Sequence, residues 1–144
     1  MLCAYIDTSA LAKWYLPEVH SEEFSIWIQQ QKNTCISSLT VTEFRCMLAR
    51  RQRRHDLTEA QVQQIYASLE QDISDGHLKI YPVNGQQVQN AALLIDSLPN
   101  NALRTLDAIH LSIARDIPAT LLASADQVML NAGKILGFQL VCFD

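Results

Sequence analysis

The sequence predicts an α/β fold in which a central, mostly parallel five-stranded sheet is covered by helices on both faces. Two observations carry this. Five short apolar runs, at residues 2–6, 34–37, 78–83, 120–125 and 139–143, alternate with segments whose apolar residues recur at helical spacing. No internal repeat, low-complexity stretch or linker interrupts the alternation, so residues 1–144 are expected to form a single domain. In an open sheet of this kind ligands bind beyond the carboxyl ends of the strands, so the residues that follow each apolar run are the first candidates for chemistry.

Residues 2–6 run apolar into Asp7, and residues 9–16 then place Leu11 with Tyr15 and Ala12 with Leu16 at helical spacing until Pro17 stops them. A second amphipathic helix over residues 21–31 shows Phe24, Trp27 and Ile28 on one face, and residues 34–37 return as a strand. A third helix covers residues 38–53. A fourth is opened by the capping pattern Thr58-x-x-Gln61 and closed by Gly76. Residues 78–83 alternate as a strand, 86–98 form a helix, Pro99-Asn100-Asn101 a loop, and 105–115 a further helix. Strands at 120–125 and 139–143 flank a last helix over residues 127–136 that Gly137 ends.

With 144 residues and 49% hydrophobic content the chain is long enough to bury a core of its own. Its net charge of -4 gives no general attraction to nucleic acid, so any RNA contact must come from a local patch. Cys3, Cys35, Cys46 and Cys142 form no C-x-x-C pair and are expected to be reduced and mostly buried. The start lacks the basic and apolar regions of a signal peptide and no run approaches ~18 apolar residues, so a cytoplasmic protein without membrane contact is expected.

Two aspartates, Asp7 and Asp126, directly follow predicted strands, while Glu43 and Asp107 lie in the first turns of predicted helices. Each admits an ordinary explanation. Asp7 and Asp126 would cap the helices after them, Thr40-x-x-Glu43 fits a capping box, and Asp107 suits its helix dipole, effects of ~0.3–1 kcal/mol each. The text around all four distinguishes the readings. Tyr5-Ile-Asp7-Thr-Ser-Ala-Leu, Val41-Thr-Glu43-Phe44, Leu106-Asp107-Ala-Ile-His110-Leu and Ser124-Ala-Asp126 follow in order along essentially the whole chain.

In these four motifs the sequence resembles PIN domains of the VapC toxin type. The resemblance implies a PIN-like three-layer fold in which the four acids converge at one end of the sheet, and an endoribonuclease of a toxin–antitoxin system. It also implies a homodimer and a small antitoxin whose C-terminal segment covers the active site. Trp14, Tyr15, Phe24 and Trp27 read as core residues, in a region that relatives use as a groove for the antitoxin.

Cutting a phosphodiester requires an activated water, stabilisation of charge on the phosphoryl oxygens and help for the leaving oxygen, and divalent ions supply all three. Oxygen-only ligands select Mg²⁺, with Mn²⁺ as the alternative. Carboxylates ~4 Å apart repel by ~1 kcal/mol in water and ~4 kcal/mol at an effective dielectric near 20, a penalty that a bound cation removes. Asp7 and Asp107 are expected as central ligands, Asp126 as a further or water-mediated one, and Glu43 as a ligand or as the group that orients the attacking water. Ser9 and Ser124 offer hydroxyls that would hold the carboxylates, with plain helix capping as the competing role. His110 fits a core or supporting position better than a ligand of a hard cation. Arg104 would contact a substrate phosphate or balance the acids, and the run Arg50 to Arg54 is either a solvated face or a track for an RNA backbone.

Two rivals belong to other classes. A PIN-like module that binds RNA or protein without cutting would be expected to have an incomplete acid set, and all four acids are present here. A phosphatase using Asp7 as acceptor would need an acid at position 9, which is Ser9, and a receiver domain would want its acceptor after a later strand.

Overall fold

The computed structural model describes residues 2–144 and puts the first strand at the centre of its sheet. In chain order the elements are β1 (Cys3–Ile6), α1 (Thr8–Tyr15), α2 (Ser21–Gln30), β2 (Thr34–Ser37), α3 (Ser38–Arg53), α4 (Glu59–Ser74) and β3 (Lys79–Tyr81). The second half adds α5 (Gly85–Ser97), α6 (Thr105–Asp116), β4 (Ala119–Ser124), α7 (Gln127–Ile135) and β5 (Gln139–Cys142). The strand order is β3-β2-β1-β4-β5 and every neighbouring pair is parallel, so the expected mostly parallel sheet is parallel throughout the described residues. The chain builds outward from β1 to one edge, then crosses to β4 and builds to the other. That reversal puts the topological switch point between β1 and β4, where open sheets bind ligands.

Period-two alternation divides the core between the two faces. Ile6, Ile36 and Ala123 face a layer built from Leu11, Phe24, Phe44, Leu48, Val62 and Leu69 of the first four helices. Tyr5, Cys35 and Leu122 face the other, with Leu94, Leu111, Ile113 and Met129. Burial on both faces is why the central strands read as nearly continuous apolar runs. α7 lies so close to β4 that a Cβ at Gly133 would come within 2.5 Å of Leu122 Cδ2. Phe24 packs edge-on against Phe143, and Trp14 and Trp27 flank Phe24, so this aromatic group is core, with Trp14, Tyr15 and Trp27 partly open.

Most boundaries fall within a residue or two of expectation, and the departures have local causes. The strand expected at 78–83 shrinks to Lys79–Tyr81, because Pro82 has no amide to donate and the strand lies at the sheet edge. The capping box of α3 is Ser37 with Thr40, one turn earlier than Thr40 with Glu43, and this frees the Glu43 side chain. Thr58 and Gln61 cap α4 reciprocally as the pattern predicts. Gly76 and Gly137 end α4 and α7 at φ 82° and 92°, and the amide of the residue after each closes back onto the helix. His55 does the same work after α3 at φ 65° without glycine's freedom. The cysteines correct an expectation: Cys3 and Cys35 are buried, but Cys46 and Cys142 are exposed, because β5 is an edge strand and Cys46 lies away from the apolar stripe of α3. Among the described residues no helix is long and apolar enough to cross a membrane.

Candidate active site

The carboxyl ends of β1 and β4 come together because the two strands pair directly, with Ile6 beside Ala123 and the Asp7 amide on the Ala123 carbonyl at 3.1 Å. Asp7 is the first residue beyond β1 and caps α1, its Oδ1 accepting from the Ala10 amide at 3.0 Å. It is only 3% exposed. Two hydroxyls enclose it. Ser9 donates to Oδ1 at 2.7 Å and Ser124 donates to Oδ2 at 2.5 Å. Each hydroxyl also accepts an amide from the turn after β4, Ser9 from Ala125 at 3.0 Å and Ser124 from Asp126 at 2.9 Å. Asp7 on one strand is thus tied to the turn that carries Asp126 on the next.

Asp126 caps α7 with Oδ1, which accepts from the amides of Val128 and Met129. Asp107, in the first turn of α6, accepts the Arg104 amide with Oδ2 at 3.2 Å. Capping and convergence are therefore compatible, since each cap occupies one oxygen. Among the described residues, no hydrogen bond or ion pair engages Asp107 Oδ1 or Asp126 Oδ2.

Glu43 reaches the site from α3. Its Oε1 accepts from Thr8 Oγ1 at 2.8 Å and makes a short contact with His110 Nε2. The other ring nitrogen of His110 meets the Tyr5 hydroxyl at 2.6 Å, and that hydroxyl lies 3.0 Å from Ser37 Oγ. His110, Tyr5 and Ser37 are all buried, so this chain anchors Glu43 from inside the fold. The sequence reading placed His110 in the core or behind the acids. It did not find Thr8, Tyr5 or Ser37, although Tyr5 lies two residues before Asp7, and side chains two apart on a strand share a face.

Electrostatics record the crowding. Burial pushes the Asp7 carboxyl above the usual carboxylate range, against the pull of Ser124, Ala10, Ser9 and the charge of His110. Burial also raises Asp107, and the charges of Asp126 and Glu43 add to it against the Arg104 amide and His110. For Glu43 burial is outweighed by the bond and charge of His110 and by the Thr8 hydroxyl, so its carboxyl is held below the usual range. Asp107 thus feels Asp126 and Glu43, while Asp7 is joined to the Asp126 turn by its serines and to Glu43 through the neighbouring Thr8. The four acids are not drawn into a tight cage: among the described residues no three His, Cys, Asp or Glu side chains stand close enough together to hold a metal ion as they are. Mutual repulsion of carboxylates favours such spacing.

Arg104 is exposed and makes no ion pair among the described residues. Two clefts, of about 460 Å³ between α5 and α6 and about 540 Å³ beside β3, contain none of the four acids.

A parallel sheet with an acid-lined switch point defines a class of α/β proteins that present carboxylates at one end of the fold. Within that class the sequence profile of the PIN domain matches residues 4–135, and the chain belongs to the PIN-domain family. No curated protein matches the sequence. Among solved structures the fold is similar to that of VapC20 from Mycobacterium tuberculosis, described as a sarcin-ricin loop cleaving toxin. That match has 14% identity, covers 92% of this chain and 95% of that one, and has a TM-score of 0.71. VapBC2 from Rickettsia felis, bound to a DNA fragment from its promoter, matches at 15% identity over 100% of both chains with a TM-score of 0.69. DNA-bound VapBC from Salmonella typhimurium matches at 17% identity over 100% of both chains with a TM-score of 0.65. At these identities the structural likeness establishes the three-layer PIN fold.

Proposed function

We propose that this PIN-domain protein is a Mg²⁺-dependent endoribonuclease, the toxin of a toxin–antitoxin pair, acting through residues 1–144 as a single domain. The observation that carries the reading is the linkage at the switch point. Ser124 and Ser9 lock Asp7 to the turn bearing Asp126, Asp107 feels the charges of Asp126 and Glu43, and Glu43 is bonded to Thr8, the residue after Asp7.

By chemistry the donor set suits a hard divalent cation, and holding one requires the acids to draw closer than they stand. The set is all oxygen, and Asp107 Oδ1 and Asp126 Oδ2 remain free after capping, as does Glu43 Oε2 after its contacts with Thr8 and His110. Asp7, Asp107 and Asp126 would hold the ion, which supplies charge stabilisation at the phosphoryl oxygens and activation of water. Glu43 orients the attacking water with its free oxygen, while His110 and Thr8 hold the other. Ser9 and Ser124 keep Asp7 aimed and satisfied. Arg104, exposed at the start of α6, contacts a substrate phosphate.

The likeness to the VapBC assemblies supports a small antitoxin as partner, and a homodimer acting in the cytoplasm belongs to the same proposal. Titration of the purified protein with Mn²⁺ by calorimetry, beside Asp107→Asn, tests the site. Binding by wild type and its loss in the variant support the reading. No binding by wild type, together with no cutting of a mixed RNA pool, would favour a PIN-like module that binds without cutting.

A further inference from the structure

We propose that Arg50 of α3 and Arg54, the residue that caps its C-terminus, bind phosphates of the RNA backbone on one flank of the scissile bond, forming a track that begins at Glu43. The proposal rests on the nuclease reading above and adds how the substrate is held.

A site of four carboxylates in a protein of net charge -4 repels a polyanion, so the substrate requires cations close to the acids. α3 supplies them in a particular arrangement. Positions seven and eleven residues after Glu43 are two and three turns further along the same stripe of the helix, and both hold arginine. At ~1.5 Å per residue they lie ~10 and ~16 Å along the axis from Glu43, about three and five stacked nucleotides at ~3.4 Å per step.

Two neighbouring cations, Arg51 and Arg45, are engaged elsewhere. Arg51 pairs with Glu18, which Lys13 also approaches at 3.7 Å, and Arg45 lies over the Tyr66 ring at 5.8 Å on the side where α4 packs. Arg50 and Arg54 are exposed and make no ion pair among the described residues. A cation at the end of a helix is also favoured by the helix dipole. That effect applies equally to Arg53, which lies off the stripe, and so does not account for the alignment with Glu43.

The test uses fluorescence anisotropy of the intact protein with a mixed-sequence single-stranded RNA of about 20 nucleotides. Carrying Asp7→Asn in EDTA separates binding from cutting. R50Q/R54Q is compared with R115Q, which removes a charge at the far end of α6. The expected result is about five- to tenfold weaker binding by R50Q/R54Q and a salt slope shallower by ~1.4, that is ~0.7 for each lost phosphate contact on a single strand. R115Q should leave both unchanged. Equal affinity and slope in R50Q/R54Q and its parent, equal losses in R115Q, or no RNA binding by the parent would each overturn the track. Cutting by the Asp7-containing protein with an unaltered KM in R50Q/R54Q would overturn the track alone and leave the nuclease reading standing.

Discussion

Ser124 Oγ donates to Asp7 Oδ2 at 2.5 Å while accepting the Asp126 amide at 2.9 Å, so one buried hydroxyl joins the two acids that end β1 and β4. Removing it leaves a buried carboxylate oxygen and a backbone amide each short of a partner, at a cost of ~1–3 kcal/mol. Ser124→Ala should therefore lower the urea midpoint and cut RNA at least ~10-fold more slowly, in line with losses seen when groups that orient a metal's ligands are removed. Ser124→Thr keeps the hydroxyl and should retain most activity. Equal behaviour of the two variants would remove the hydroxyl from the account.

The Asp7 carboxyl sits above the usual carboxylate range because it is buried. A group whose folded pKa is raised stabilises the fold while protonated, and that contribution is lost as pH rises from ~3.9 through the raised value. In EDTA, wild type should lose stability across that window. Asp7→Asn, which keeps an oxygen for the Ala10 amide, should not share this loss. Melting curves at pH 4 and pH 7 should show the variant gaining on wild type at the higher pH. A variant that melts lower by the same margin at both pH values would mean that capping of α1 outweighs the burial of charge.

Glu43 is held from within by His110, and His110 by Tyr5. Tyr5→Phe keeps the ring packed and removes one hydrogen-bonding partner of His110, so its stability should fall by ~1 kcal/mol with a moderate loss of cutting. His110→Ala opens a cavity beside a buried acid and should cost more on both counts. If both variants cut RNA like wild type, Glu43 needs no such anchor.

His55 adopts φ 65° after α3, where a Cβ is penalised and glycine is not. His55→Gly should raise stability by ~0.5–1 kcal/mol in urea unfolding, the gain being reduced by the extra freedom of the unfolded chain. An unchanged or lower midpoint would mean that the His55 side chain contributes contacts of its own.

The fold was legible because strands buried on both faces write themselves as apolar runs, and because Thr58-x-x-Gln61, Gly76 and Gly137 mark helix ends by local chemistry. The edge strand was misjudged at Pro82, where a period-two pattern continues past the last residue able to pair. The four acids stood out by position and by their surrounding motifs, and Ser9 and Ser124 by adjacency in sequence. Thr8, Tyr5 and Ser37 did not, since their roles depend on contacts across 35, 105 and 32 positions of sequence, which no local pattern encodes. The box opening α3 was misplaced for a related reason: Ser37 and Thr40 satisfy it one turn before Glu43, and only the helix start distinguishes the two.

In the proposed reaction Asp7 and a divalent cation act together on RNA. The most direct measurement is cleavage of a mixed pool of structured and transfer RNAs by purified wild type with Mg²⁺ or Mn²⁺, beside an EDTA control and Asp7→Asn. Cutting by wild type should disappear both in EDTA and in the variant. Cutting that persists in either, or no cutting by wild type with either metal, would contradict it.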